Sequence, residues 1–348
     1  MSHAWQARST LVGVLMVAGG LTLGCNDGAV GPATDSGELT VAAAKALYSG
    51  WAPAISVEQI PGTASSFNTA ALEGCAFISR DGKMLFYASN RAGGAGLNDI
   101  YLSTRESTDD GWGAPVNAND LYEGDATINT AAAEVCPTLA RDGHTFYFVS
   151  ARPGGCGGED IYVTRIRDDH GFDEPENLGC QINSAGNEAS PTLAQEPGAG
   201  RVLYFSSNRA GGFSAEAAGA VTGDADIYMS EWHAGAFGPR QLVPVINSAS
   251  NELQPSIMHD AREIFFISNR PGGVGGNDVW SSVRAKAKNA WSTPSNLGTN
   301  VNSVADENRP AISWDGTTLY FGSARTGGEG SSDIYVTTRG ELKGSGKK

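Results

Sequence analysis

The sequence predicts an all-β protein: a five-bladed β-propeller of four-stranded antiparallel blades, closed by an N-terminal strand that completes the last blade. Three observations predict it. A Glu, an Arg and an Asp recur in one frame five times along the 348 residues. The Glu set is Glu73, Glu134, Glu188, Glu252 and Glu307; the Arg set is Arg91, Arg152, Arg209, Arg270 and Arg325; the Asp set is Asp99, Asp160, Asp226, Asp278 and Asp333. In four copies Glu to Arg is 18 positions and Arg to Asp is 8, and only the third copy departs, with 21 and 17. A fixed period of about 55 to 60 residues marks a repeat architecture. The second observation is four strand signals per repeat, and the third is the pair of chain ends, each lacking what the other supplies.

Within a repeat, the segment after the Glu ends in a tight turn: FISRDGKMLFYAS, TLARDGHTFYFVS and AISWDGTTLYFGS. Asp-Gly between apolar runs is a strong hairpin signal, because Gly accepts the positive φ such turns require. The run after the turn is aromatic and β-branched (MLFYAS, TFYFVS, VLYFSS, IFFIS, TLYFGS), as suits a buried strand. A Gly-rich loop follows and runs into a third strand: DIYLSTR, DIYVTR, DIYMS, DVWSS or DIYVTTR. A fourth strand follows an aromatic–Pro corner, as at Trp112 and Pro115 or Trp291 and Pro294. An Asn then stands five positions before the next Glu: Asn68, Asn129, Asn183, Asn247 and Asn302.

Four antiparallel strands per repeat make a propeller blade. The chain enters with an unmatched corner, Trp51 and Pro53, and finishes on a third strand, DIYVTTR, that has no fourth. Residues 51 to 59 are therefore expected to supply the outer strand of the last blade, which leaves fewer exposed edges.

The combination of Ser-x-Asp-Gly, LYFxS, x-R, a Gly-rich loop and DIY resembles the WD-like β-propeller repeats of the TolB family, nearest the branch found in bacterial envelope lipoproteins and beside OmpA-type domains. The resemblance spans Trp51 to Arg339. It implies a binding propeller of the cell envelope that works through protein contacts, with envelope proteins, including peptidoglycan-associated ones, as partners. Two departures narrow this: no OmpA-like segment follows the repeats, and the extra α/β domain of TolB has no counterpart here.

Composition and the N-terminus fit that picture. A net charge of −14 repels polyanions, so nucleic acid is not an expected partner. Residues 1–24 read as a lipoprotein signal peptide, with Arg8 before an apolar run of 13 residues that is too short to span a membrane. Gly24-Cys25 resembles a lipobox, which implies acylation of Cys25, a membrane anchor and an outer-membrane lipoprotein facing the periplasm or the surface. Residues 25–50 read as a flexible tether, 51–340 as a monomeric propeller and 341–348 as a short polar tail. Four further cysteines suit an oxidising compartment. Cys156 with Cys180 is the favoured pair; Cys75 with Cys136 is the weaker expectation, since inner-strand backbones of neighbouring blades can stand too far apart. With no C-x-x-C and scattered His residues, no metal site is expected.

The Glu–Arg–Asp set has two readings, a ring of charged sites at the pore mouth or an intrablade clamp in which one Arg fork bridges two carboxylates. Recurrence in every blade favours the clamp. GGAGLND, GGCGGED, GGVGGND and GGEGSSD also resemble calcium-binding nonapeptides, yet a turn demanding positive φ accounts for the glycines without an ion, and no cofactor is expected. No nucleophile or metalloprotease motif is present, and no acid pair stands outside the repeated set. The expected function is accordingly a non-catalytic, lipid-anchored scaffold for protein binding or assembly. The alternative is a periplasmic glycan-binding or glycan-active propeller, and the third reading a Ca²⁺-dependent adhesin. Copy three carries two insertions, one in its first turn (QEPGAG) and one in its Gly-rich loop, where a binding specificity could reside.

Overall fold

The computed structural model describes residues 47–121, 127–167, 171–213 and 222–342, all within the compact unit Leu39–Lys348. The expected leader, Cys25, most of the tether and the last six residues lie outside the described residues.

Five antiparallel sheets follow one another, one per blade. Blade one is β2 (Glu73–Ile78), β3 (Met84–Ser89), β4 (Asp99–Thr104) and β5 (Val116–Asn117); blade two is β6 (Glu134–Leu139), β7 (Thr145–Ser150), β8 (Asp160–Arg165) and β9 (Glu176–Asn177). Blade three is longer: β10 (Glu188–Glu196), β11 (Gly200–Arg209), β12 (Thr222–His233) and β14 (Gln241–Leu242), with an extra strand β13 (Ala236–Phe237) also pairing with β12. Blade four is β15 (Glu252–Ile257), β16 (Glu263–Ser268), β17 (Asp278–Val283) and β18 (Ser295–Asn296). Blade five is β19 (Glu307–Ile312), β20 (Thr318–Ser323), β21 (Asp333–Thr338) and, as its outer strand, β1 (Ile55–Ser56). Ile55 pairs with Val336 and Ser56 with Tyr335, so the N-terminal segment closes the last blade. The segment is a strand for two residues only; Val57–Gln59 continues as a 3-10 turn.

Each inner strand packs against the next, and β19 packs against β2, which closes the ring. The second strands explain the unbroken aromatic runs. Successive residues point to opposite faces, and each face of a blade is covered by a neighbouring blade. Phe86 joins the core between blades one and two, and Tyr87 the core between blades five and one. Both are fully buried, so no polar alternation appears.

The repeated Asn closes a gap left by the short outer strands. Asn68 Oδ1 accepts the Ile334 N–H at 2.9 Å while its Nδ2 donates to the Ile334 carbonyl at 3.3 Å. Asn129 does the same to Ile100, Asn183 to Ile161, Asn247 to Ile227 and Asn302 to Val279. One side-chain amide thus serves both backbone groups of a third-strand residue beyond the last outer-strand pair, and the carbonyls of Ile161, Ile227 and Val279 also accept the N–H groups of Leu178, Val243 and Leu297.

Candidate functional site

The charged triplet divides into two separate devices. Each repeat Glu is fully buried. Glu73 accepts from the Thr69 hydroxyl and backbone N–H, from Ser89 Oγ at 2.7 Å and from Arg91 at 3.1 Å. Equivalent Arg–Glu pairs stand at 3.5 Å (Arg152–Glu134), 3.0 Å (Arg209–Glu188), 2.8 Å (Arg270–Glu252) and 3.2 Å (Arg325–Glu307). The guanidinium also lies against aromatic rings of the second and third strands, as Arg91 does with Tyr87 and Tyr101. Burial raises the pKa of Glu188 and Glu307, against the pull of the serine hydrogen bonds.

The Asp residues do not share that Arg. The expected fork between two carboxylates forms on the Glu side only, and no Arg–Asp ion pair joins any triplet among the described residues. Each Asp turns instead into its own Gly-rich loop, because that is where unpaired backbone N–H groups point. Asp99 accepts from Ala95 N at 2.5 Å, Gly96 N at 3.2 Å and Asn117 Nδ2 at 2.9 Å. Asp278 repeats the set with Val274, Gly275 and Asn296. The paired glycines follow from this. The first, such as Gly272, sits at φ +95°; a Cβ on the second, Gly273, would stand 2.2 Å from Asp278 Oδ2. In blade three the Asn is missing, and among the described residues Asp226 accepts from the Phe213 N–H at 2.7 Å, with Oδ1 unpaired. Burial therefore pushes its pKa up to about 6.

The cysteines pair as Cys156–Cys180 and Cys75–Cys136. The second pair bridges neighbouring inner strands whose Cα atoms stand 4.6 Å apart, within disulfide reach. A bulge brings them together. The register slips between Gly74 and Phe77, and the residue two after each repeat Glu adopts positive φ: Cys75, Cys136, Ser190, Gln254 and Arg309.

Those five positions ring the axis, and Arg309 breaks their symmetry. From blade five its guanidinium reaches Thr138 Oγ1 at 3.0 Å and the carbonyls of Pro137 and Pro191 at 3.3 Å, in blades two and three. It is 2% exposed, its Nη1 has no hydrogen-bond partner, and no carboxylate pairs with it among the described residues. Burial lowers its pKa to about 9, which leaves it charged at neutral pH.

Arg309 also lines a cavity of about 750 Å³ at the end of the ring where the first turns gather, opposite the Gly-rich loops. The residues before the turn Asp converge there: Arg80, Arg141, His259 and Trp314. Trp314 stacks on His259 at 4.3 Å, and the guanidinium groups of Arg80 and Arg141 lie 4.7 and 5.5 Å from its ring. Gln195, from the first insertion of copy three, joins the wall. Asp81 and Asp142 are the carboxylates of the cavity. Burial raises their pKa values, but hydrogen bonds outweigh it and hold both below the ordinary range: Ser79 and Lys83 N–H at Asp81, Thr145 and His144 N–H at Asp142. A second cavity of about 610 Å³ shares Arg80, Asp81 and Trp314 and extends between blades five and one. Sequence reasoning passed over this site. Its signal was the variable column Arg80, Arg141, His259, Trp314 just before the turn Asp of four copies.

No protein-family model and no curated protein sequence matches the chain. Solved structures do. The α-L-arabinofuranosidase of Lactobacillus brevis aligns over 82% of this chain and 94% of its own, at 10% identity and TM-score 0.50. The endo-arabinase of Bacteroides thetaiotaomicron aligns over 80% and 98%, at 15% identity and TM-score 0.49. A TolB-like protein of Agrobacterium tumefaciens aligns over 84% and 99%, at 14% identity and TM-score 0.43.

The chain has the five-bladed propeller fold.

Likeness at these identities shows the fold alone. The expectation of a non-catalytic protein scaffold is corrected: a solved propeller that shares this fold over 82% of the chain at TM-score 0.50 is an α-L-arabinofuranosidase, so neither the scaffold reading nor the reading as a non-enzyme is carried forward. The expectation followed the repeated charges. It overlooked a cavity made of the unrepeated ones.

Proposed function

We propose that this protein is a glycan-active propeller whose saccharide site is the turn-face cavity. The observation that carries the reading is the composition of that cavity. A pocket of about 750 Å³ lies within the size range of ligand sites. Its polar lining is planar and bidentate, from Arg80, Arg141, Gln195, Asp81 and Asp142, which matches neighbouring hydroxyls on a sugar ring. Trp314 offers an apolar surface for ring C–H groups. The adjoining second cavity gives room for further sugar units.

Glycosidic cleavage uses two carboxyl groups, one as acid and one as base or nucleophile. Asp81 and Asp142, both held ionised by their hydrogen bonds, suit the base, nucleophile or charge-stabilising role and not that of the acid, so cleavage at this site needs a proton donor other than these two carboxylates. The finer assignment, a TolB-like propeller held at the envelope by an acyl chain on Cys25, belongs to this proposal. Such an anchor would keep the cavity within reach of envelope or extracellular polysaccharide.

The test is a panel of polysaccharides and oligosaccharides, scored for reducing-end release and for binding by calorimetry. Binding or cleavage of at least one member is expected, with Trp314→Ala weakening it about tenfold and leaving the melting temperature within a few degrees. A panel without binding or turnover overturns the reading. So does a Trp314→Ala protein that binds as the parent does.

A further inference from the structure

The charge of the cavity does not match the charge of the chain. The protein carries a net charge of −14, yet four guanidinium groups line this cavity against two carboxylates. Both carboxylates are already engaged. Asp81 accepts from Ser79 Oγ at 2.5 Å and Lys83 N at 3.1 Å; Asp142 accepts from His144 N at 2.9 Å and from Thr145 N and Oγ1 at 2.8 and 2.7 Å. Arg80 and Arg141 are exposed and make no ion pair among the described residues, and their partner is the Trp314 ring. Arg201, half-buried, lies over the ring of Trp232 at 5.1 Å and also interacts with Asp142 and Tyr147. Beneath them Arg309 is buried with Nη1 unpartnered.

A buried cation without a counter-charge is expensive. A concave site walled in low-dielectric protein and lined by one sign of charge focuses its field on the opening. Guanidinium groups match carboxylates in a planar, bidentate fashion. From these observations we infer that the ligand of the cavity is an acidic saccharide, one bearing uronate carboxylates, bound through Arg80, Arg141 and Arg201 with Arg309 supplying positive potential from below. The inference rests on the glycan reading and adds the substrate class to it. Trp314 then takes a second part: a carboxylate that draws Arg80 and Arg141 off the ring frees that face for the sugar.

The experiment is titration calorimetry of the full chain at two salt concentrations. The probes are matched oligosaccharides: oligogalacturonate and hyaluronan fragments as uronates, arabino-oligosaccharides as neutral sugars, a carrageenan fragment as a sulfated sugar without uronate, and tricarballylate as a carboxylate without sugar. At least one uronate should bind ten times or more tighter than the neutral sugar of equal length, and its affinity should fall with salt. The exposed double variant Arg80→Ala/Arg141→Ala should lose about tenfold or more for the uronate and far less for the neutral sugar. Arg309→Lys, which keeps the charge, should retain uronate preference, whereas Arg309→Met should reduce it. Should Arg309→Met fail to fold, the surface pair alone decides.

Neutral sugars binding as tightly as uronates would overturn this inference and leave the glycan reading standing. A carrageenan preference would overturn the choice of carboxylate. Tricarballylate matching the uronates, with no sugar bound better, would overturn this inference and the glycan reading together, and so would binding of no probe at all.

Discussion

Arg284 of the fourth blade places Nη2 2.7 Å from Glu196 Oε1 of the third, and both side chains are almost wholly buried. Tyr204 donates to the same carboxylate at 2.5 Å, and Arg284 lies over Trp291 at 4.1 Å while its Nε donates to the Ala261 carbonyl. Arg339 repeats the arrangement one blade on, with Glu263 at 2.6 Å. Blade faces that are otherwise apolar are thus locked together by ion pairs.

Removing one partner strands the other in an apolar setting. Arg284→Ala is expected to lower unfolding free energy by about 3 to 5 kcal/mol. Arg284→Ala/Glu196→Leu should recover part of that loss. Urea denaturation of the three proteins checks it, and a double variant no more stable than the single one would count against the pairing.

The division of the repeated triplet predicts a pattern of coupling. We propose that each triplet is structural, with Arg270 and Glu252 as one unit and Asp278 as another. Arg270→Ala should cost about 3 kcal/mol, and similar losses should follow at Arg91, Arg152 and Arg325. A double-mutant cycle should show strong coupling of Arg270 with Glu252 and additivity, within about 0.5 kcal/mol, of Arg270 with Asp278. Strong coupling in the second cycle would restore a shared fork.

Asp226 sets a pH dependence. Its folded pKa, pushed up to about 6 by burial, exceeds the ordinary value of 3.8, so the folded state binds the proton more tightly. The stability it contributes is present below the ordinary value and is lost as pH rises through 6. The difference in unfolding free energy between the parent and Asp226→Asn should therefore fall between pH 4 and 6.5 and flatten above. A flat difference across that range would show that Asp226 ionises normally.

The parts legible in the sequence were those that recur. Glu73 and its four counterparts, the turns and the unmatched Trp51 corner fixed blade number and closure, because repeated geometry demands repeated residues. The partner of each Asp was misread for a physical reason: Arg270 and Asp278 flank one loop, and adjacency along the chain hid that Asp278 faces the loop's own N–H groups. Arg309 and Trp314 were passed over because recurrence draws the eye to Glu307 and Asp315 beside them. Only the folded ring shows that position two after the Glu faces the axis and that the residue before the turn Asp faces a cavity.

The proposed anchoring rests on Cys25. Replacement by Ser is expected to leave an uncleaved precursor without labelled acyl chains, and palmitate incorporation into that variant would remove the anchor from the proposal. Non-reducing peptide mapping of the mature protein should recover Cys156 joined to Cys180 and Cys75 joined to Cys136. Free thiols at either pair would contradict the pairing in the structure.

The seam in the last blade decides when this chain can finish folding. Thr337 donates to the carbonyl of Ala52, a contact 285 residues apart in sequence, and Ile55 waits for Val336. Blades one to four can assemble as they emerge, from contacts within about 60 residues. The outer strand of blade five is made first and used last, so its edge stays open until the C-terminal strand arrives. Ring closure is then the step expected to cost the most loop entropy. Until it occurs, the opening segment is the part of the chain most in need of protection from pairing with a stranger.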